Sequence, residues 1–255
     1  EVSNMSQEAY KEEMEYLEYV EQCIENELTV ATAKLEELKK QKVTYDDAKR
    51  GEQFTKDALM KLYTSRIQRL KQIINSPYFG RMDFTAEDTN KKEKLYVGKT
   101  TVTNSDNNLA VIDWRSPISS MYYDSSVGKA QYVAPQGIIQ GYISLKRQII
   151  IENAIIKSVF DTDLVTDDKI LQNYLDIHAD NKMKDIVASI QKEQNDIIRK
   201  PLNKNIIIQG VAGSGKTSVA LHRIAYLVYL LNNNNKHVNS DQFLIIGPNN
   251  YFLDY

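Results

Sequence analysis

Positions 10, 14, 17, 21, 24, 28, 31, 35 and 38 step alternately by four and three residues, and all except Glu21 are apolar. That spacing predicts a long helix carrying a heptad seam. After the polar stretch from Tyr45 to Glu52, Met60, Tyr63, Ile67, Leu70 and Ile74 repeat the same steps, with Leu59 and Leu62 beside them. Two helices facing each other follow. Residues 1–27 hold nine acids and one base, whereas Lys56 to Lys71 hold five bases and one acid, so antiparallel pairing brings opposite charges together. Helices of roughly 25 to 35 residues would make an arm about 40 to 50 Å long at 1.5 Å per residue. Asp46 and Asp47 fall near its tip and read as a solvated turn.

The pattern changes at Pro77. The first 76 residues contain one glycine and no proline, and residues 77–141 contain five glycines and three prolines. Leu95 to Thr103, Leu109 to Trp114, Ile118 to Asp124 and Ala130 to Ala134 are β-branched or aromatic runs, with turns at Asn104 to Asn108 and Ser126 to Gly128. Ile138 to Ile143 and Gln148 to Phe160 offer further strands or an edge hairpin. A small antiparallel sheet or barrel is expected over residues 77–160, with Trp114 as a core aromatic beside a strand-ending turn. From Thr166 the helical period returns through Ile170, Leu171, Tyr174, Leu175, Ile177, Met183, Ile186, Val187, Ile190, Ile197 and Ile198, and Pro201 ends it. Asp161, Asp163, Asp167 and Asp168 lack the glycine and distal glutamate of a calcium loop and read as a linker.

Composition narrows the class. With 255 residues, 42% hydrophobic and 26% charged, the chain is globular and multidomain. A net charge of -2 excludes a long-range pull toward polyanions, so any nucleic-acid contact must be local and is expected to be weak. No apolar run approaches the roughly 18 residues of a membrane span. The single cysteine, Cys23, and the lack of a secretory apolar segment at the start predict a cytoplasmic protein.

The chemistry sits between two short apolar runs. Ile206-Ile207-Ile208-Gln209 reads as a buried strand, and it leads into Gly210-Val211-Ala212-Gly213-Ser214-Gly215-Lys216-Thr217, a full match to G-x-x-x-x-G-K-[ST]. A helix over Ser218 to Leu231, a loop of four asparagines and a second buried strand at Phe243 to Ile246 would complete a βαβ unit. Glycines at 210, 213 and 215 let the backbone curl so that several N–H groups converge on phosphate oxygens. The helix start adds positive potential. In this arrangement Lys216 would bridge the β- and γ-phosphates of ATP, and the Thr217 hydroxyl would ligate Mg2+. Sixteen residues before Gly210, the Gln194 amide can both donate and accept, which suits an adenine edge. An ordinary helix-surface glutamine is the other reading.

Gln194, the GVAGSGKT segment and Leu221-His222-Arg223-Ile224-Ala225-Tyr226-Leu227 together resemble the Q motif and motif I of UvrD-type superfamily 1 helicases. The helical hairpin, Val111-Ile112-Asp113-Trp114-Arg115-Ser116-Pro117-Ile118-Ser119-Ser120 and Gly247-Pro248-Asn249-Asn250-Tyr251-Phe252-Leu253-Asp254-Tyr255 are similar to the HelD branch. The resemblance implies a multidomain α+β and α/β fold: an antiparallel coiled-coil hairpin (1–76), a small antiparallel β domain (77–160) and the start of a RecA-like P-loop domain (161–255). It also implies RNA polymerase as partner, with the hairpin entering its secondary channel and the β domain as a second contact. ATP-driven movement would strip nucleic acid from the stalled enzyme. Residue by residue it carries over adenine contact at Gln194, the phosphate cradle at Gly210 to Thr217 and the magnesium ligand at Thr217. Where UvrD-type helicases carry a strand-contacting segment, this sequence has Ile246-Gly247-Pro248-Asn249. Downstream of the P-loop the only acids are Asp241 and Asp254, so the chain is expected to be the front part of a longer motor, catalytically incomplete by itself. A conventional superfamily 1 DNA helicase or translocase is the alternative, and a coiled-coil interaction protein whose P-loop merely binds nucleotide is another.

Overall fold

Long runs of strong helix formers without glycine or proline carry the chain into two helices before any strand forms. The computed structural model describes residues 7–41, 51–162, 186–233, 238 and 242–247. Helix α1 spans Gln7–Lys40 and α2 spans Glu52–Ile73. Arg66 pairs with Glu27, and Lys56 Nζ donates to the Gln41 carbonyl at 2.6 Å, so the two helices run antiparallel. Asp46 and Asp47 lie outside the described residues.

The strands follow: β1 (Gly80–Ala86), β2 (Lys92–Gly98), β3 (Val102–Thr103), β4 (Leu109–Asp113), β5 (Gly128–Ala134), β6 (Gly137–Glu152) and β7 (Ile155–Asp161). They form one mixed sheet in the order β3-β4-β2-β1-β6-β5, with β7 also paired to β6. All neighbours are antiparallel except β2 and β4, which pair in parallel at Val97 with Ile112 and Gly98 with Asp113. The long β6 serves three partners: β5 along its first half, β1 through the middle and β7 along its end.

Two expectations change here. Ile118 to Asp124, read as a strand, contains a helical turn, α3 (Ser120–Asp124). Its cause lies just upstream, where Arg115 closes on the Asp113 carboxylate and Ser119 Oγ donates to the Asp113 carbonyl at 2.8 Å. That knot turns the chain out of the sheet, and Met121, Tyr122 and Tyr123 are then buried. Conversely, β1 carries Arg81 and Asp83, charges that conceal a strand from any hydrophobic pattern, yet both are buried.

They are buried because α1 supplies their partner. Glu13 is fully buried and accepts from Arg81 at 2.7 Å, Arg147 at 2.8 Å and the Tyr96 hydroxyl at 3.1 Å. Arg81 also grips Asp83, and Arg147 grips Asp161. The face of α1 that meets the sheet is therefore Glu13, Leu17, Val20 and Ile24, while Met14, a seam position in the heptad pattern, is 43% exposed. Leu70 and Ile73 of α2 join the same core as Tyr78, Val111, Ile149 and Val159 of the sheet region. Tyr16 of α1 stacks on Tyr96 with centroids 3.6 Å apart, and its hydroxyl donates to the Ala110 carbonyl at 2.7 Å. Trp114 is buried, as its expected core role requires.

The chain divides into two compact units, residues 1–189 and 190–255. The boundary expected at residue 76 falls inside the first. The second unit contains α4 (Lys192–Ile198) and α5 (Lys216–Asn233).

Candidate phosphate-binding loop

Helix α5 begins where the sequence turns from glycine-rich to apolar. Gly213 and Gly215 adopt φ of 81° and 78°, the left-handed region that a side chain resists. Ser214 N donates to the Val211 carbonyl at 3.3 Å, closing a turn, and Val219 N donates to the Gly215 carbonyl at 2.9 Å, the first helical bond. The N–H groups of Gly215, Lys216 and Thr217 thus lie in the first turn, where no acceptor four residues earlier belongs to the helix. They present partial positive charge at the loop. Gly210, Val211, Ala212, Gly213 and Ser214 are all exposed, and Lys216 and Thr217 are half-buried at the start of α5.

Lys216 crosses the loop. Its ammonium donates to the Gly210 carbonyl at 2.9 Å and the Val211 carbonyl at 2.7 Å, which places a full positive charge inside the curve of the backbone. A Cβ at Gly210 would meet Ser214 Oγ at 2.7 Å, so a larger residue there would require the Ser214 hydroxyl to turn away.

Gln194 is brought to the loop although twenty residues separate it from Ser214. Its side-chain oxygen accepts from the Gln191 backbone N–H at 3.2 Å, half of a capping box that starts α4. Its Nε2 reaches the Ser214 carbonyl at 3.5 Å, and a Cβ on Gly215 would come within 3.1 Å of that nitrogen. The same amide therefore caps α4 and contacts the loop.

The flanking strands are corrected. Ile206 to Gln209 and Phe243 to Ile246 are irregular, neither is paired in a ladder among the described residues, and Ile207, Leu244 and Ile246 are 95%, 86% and 84% exposed. Apolar sequence proposes a strand, but a strand forms only when a neighbouring strand pairs with its backbone groups. Pro248 and Asn249, in the segment that departs from the helicase pattern, lie outside the described residues, as do Asp163, Asp167 and Asp168.

Arg223 was visible in the sequence only as part of a motif. In the fold its guanidinium donates to the carbonyls of Ile197, Ile198, Lys200 and Pro201 at 2.8 to 3.2 Å. No periodicity signals such a contact, since the acceptors are backbone atoms on another element.

The family described as DNA helicase IV HelD, N-terminal domain, matches residues 10–176. The chain belongs to this family. The match takes in the helical arm and the sheet and ends ahead of the phosphate-type loop. No curated protein matches the chain. The family is that of HelD-type DNA helicases. Among the described residues, no helix is long and apolar enough to cross a membrane.

Proposed function

We propose that the chain is the nucleotide-binding and partner-binding part of a HelD-type motor that docks on RNA polymerase and uses ATP to release it from nucleic acid. The observation that carries the nucleotide part is the loop from Gly210 to Thr217: left-handed glycines, a helix start and an ammonium held inside the curve. A triphosphate fits this donor set, because each of its oxygens seeks N–H groups or a cation and the loop offers no carboxylate. Gly210 to Thr217 would hold the phosphates, with Lys216 exchanging its two carbonyl partners for phosphate oxygen. Gln194 would face the base.

Among the described residues, no three His, Cys, Asp or Glu side chains are placed to hold a metal ion. The Thr217 hydroxyl would hold Mg2+, a cation that favours oxygen ligands and neutralises phosphate charge. When bound, the ATP–magnesium pair supplies the phosphoryl group whose transfer to water drives a motor. This chain's own residues bind and orient it.

The arm supports the polymerase reading. Phe54, Leu59 and Leu62 of α2 are exposed and lie outside the core that the helices share with the sheet. Apolar side chains there would supply contacts to a partner surface.

Lys216→Ala tests the nucleotide assignment. Loss of ATP-analogue binding, measured by titration calorimetry, is expected, and affinity unchanged from the parent protein would overturn the loop's role.

A further inference from the structure

Arg223 lies seven residues into α5 from Lys216, about 10 Å along the helix axis at 1.5 Å per residue. Its four contacts are to backbone carbonyls at the C-terminal end of α4 and the turn after it. The last carbonyls of a helix lack intrahelical donors and carry partial negative charge, so a guanidinium is well matched to them. At the other end of α4, Gln194 reaches the loop through the Ser214 carbonyl, and its amide lies 3.1 Å from where a Cβ on Gly215 would stand. A further tie lies nearby, where the Arg199 guanidinium sits over the Tyr226 ring of α5, 5.2 Å from its centroid. Asn195 and Ile198, on the inner side of α4, are fully buried.

A short helix held at one point can pivot. Held near both ends, it cannot, and the position of Gln194 over the loop becomes fixed by the far attachment. We infer that Arg223 is a positioning residue for the nucleotide site: by clamping the base of α4 to α5 it sets where the Gln194 amide stands relative to the phosphate loop. This inference rests on the nucleotide reading proposed above. It assigns Arg223 to base discrimination and leaves phosphate binding to the loop itself.

The test titrates the purified protein, with magnesium, against non-hydrolysable analogues of ATP and GTP and against tripolyphosphate. Arg223→Gln is expected to lower the preference for the ATP analogue over the GTP analogue about tenfold, roughly what one misplaced hydrogen bond costs, with tripolyphosphate affinity within about twofold of the parent. Lys216→Ala is expected to lose all three ligands. A folded Arg223→Gln protein that keeps its base preference, or loses tripolyphosphate in parallel, overturns the inference and leaves the nucleotide reading intact. A parent protein that binds all three without discriminating bases overturns it as well. Should the parent bind none, the nucleotide reading fails and takes this inference with it. If Arg223→Gln does not fold, Arg223→Lys replaces it: a smaller loss of preference is expected, and full retention is the overturning result.

Discussion

At the scale of single residues, the decisive group is Glu13. Its carboxylate is fully buried between Arg81 and Arg147, and each of these also holds a second acid. Removing it takes from each of two guanidinium groups one of its carboxylate partners in a dry site, and breaking a buried pair from one side costs about 3 to 5 kcal/mol. Glu13→Ala is therefore expected to lower unfolding free energy by that order in a denaturant titration, and a change under about 1 kcal/mol would show that the cluster is better hydrated than it looks. The tyrosines around it make a second expectation. Burial raises the phenols of Tyr16, Tyr78 and Tyr96 above their usual value, with Arg81 opposing in part. Since the folded-state values are the raised ones, their stabilisation is complete below about pH 10, the ordinary phenol value, and falls as pH climbs past it, because the unfolded chain ionises first. Tyrosinate absorbance and loss of structure should then rise together above that pH. Nothing in a heptad count identifies Glu13, because it is adjacent to the seam residue Met14 and reads as a surface acid.

At the scale of elements, the sequence pattern succeeds where an element satisfies its own hydrogen bonds. The helices α1, α2 and α5 were legible, since each repeats apolar residues at helical spacing over many turns and needs no partner to close its backbone bonds. The sheet was partly legible: β3 and β4 lie within expected runs, β2 and β5 begin before theirs, β1 is hidden by its buried charges, and the Ile118 to Asp124 run ends in α3. Gly80 shows why tertiary contact settles that turn. The buried Tyr122 ring of α3 rests on the space a Gly80 Cβ would occupy. Gly80→Ala should cost about 1 to 3 kcal/mol through overpacking, and an unchanged thermal midpoint would mean that α3 is free to move away from the sheet.

At the scale of the molecule, the arm is anchored through the same core as the sheet, so deleting it whole would test folding rather than binding. A sharper test replaces residues 33–61 with a short Gly-Ser turn, keeping Leu17, Val20, Ile24, Leu70 and Ile73 in place. Circular dichroism should show an intact sheet, and capture of RNA polymerase should fall at least tenfold; capture of equal strength would remove the arm from the interface. Residue identity and spacing were enough to determine the helical arm, the glycine-lysine loop and the helix behind it, because these depend on local period and on backbone freedom at particular glycines. Only the tertiary structure decided which face of α1 is buried, where Arg81 and Arg147 find their counter-charge, and how Arg223 reaches α4. Those outcomes depend on pairing between positions tens to more than a hundred residues apart, and a charge gives no sign in the chain of whether it will meet water or its partner.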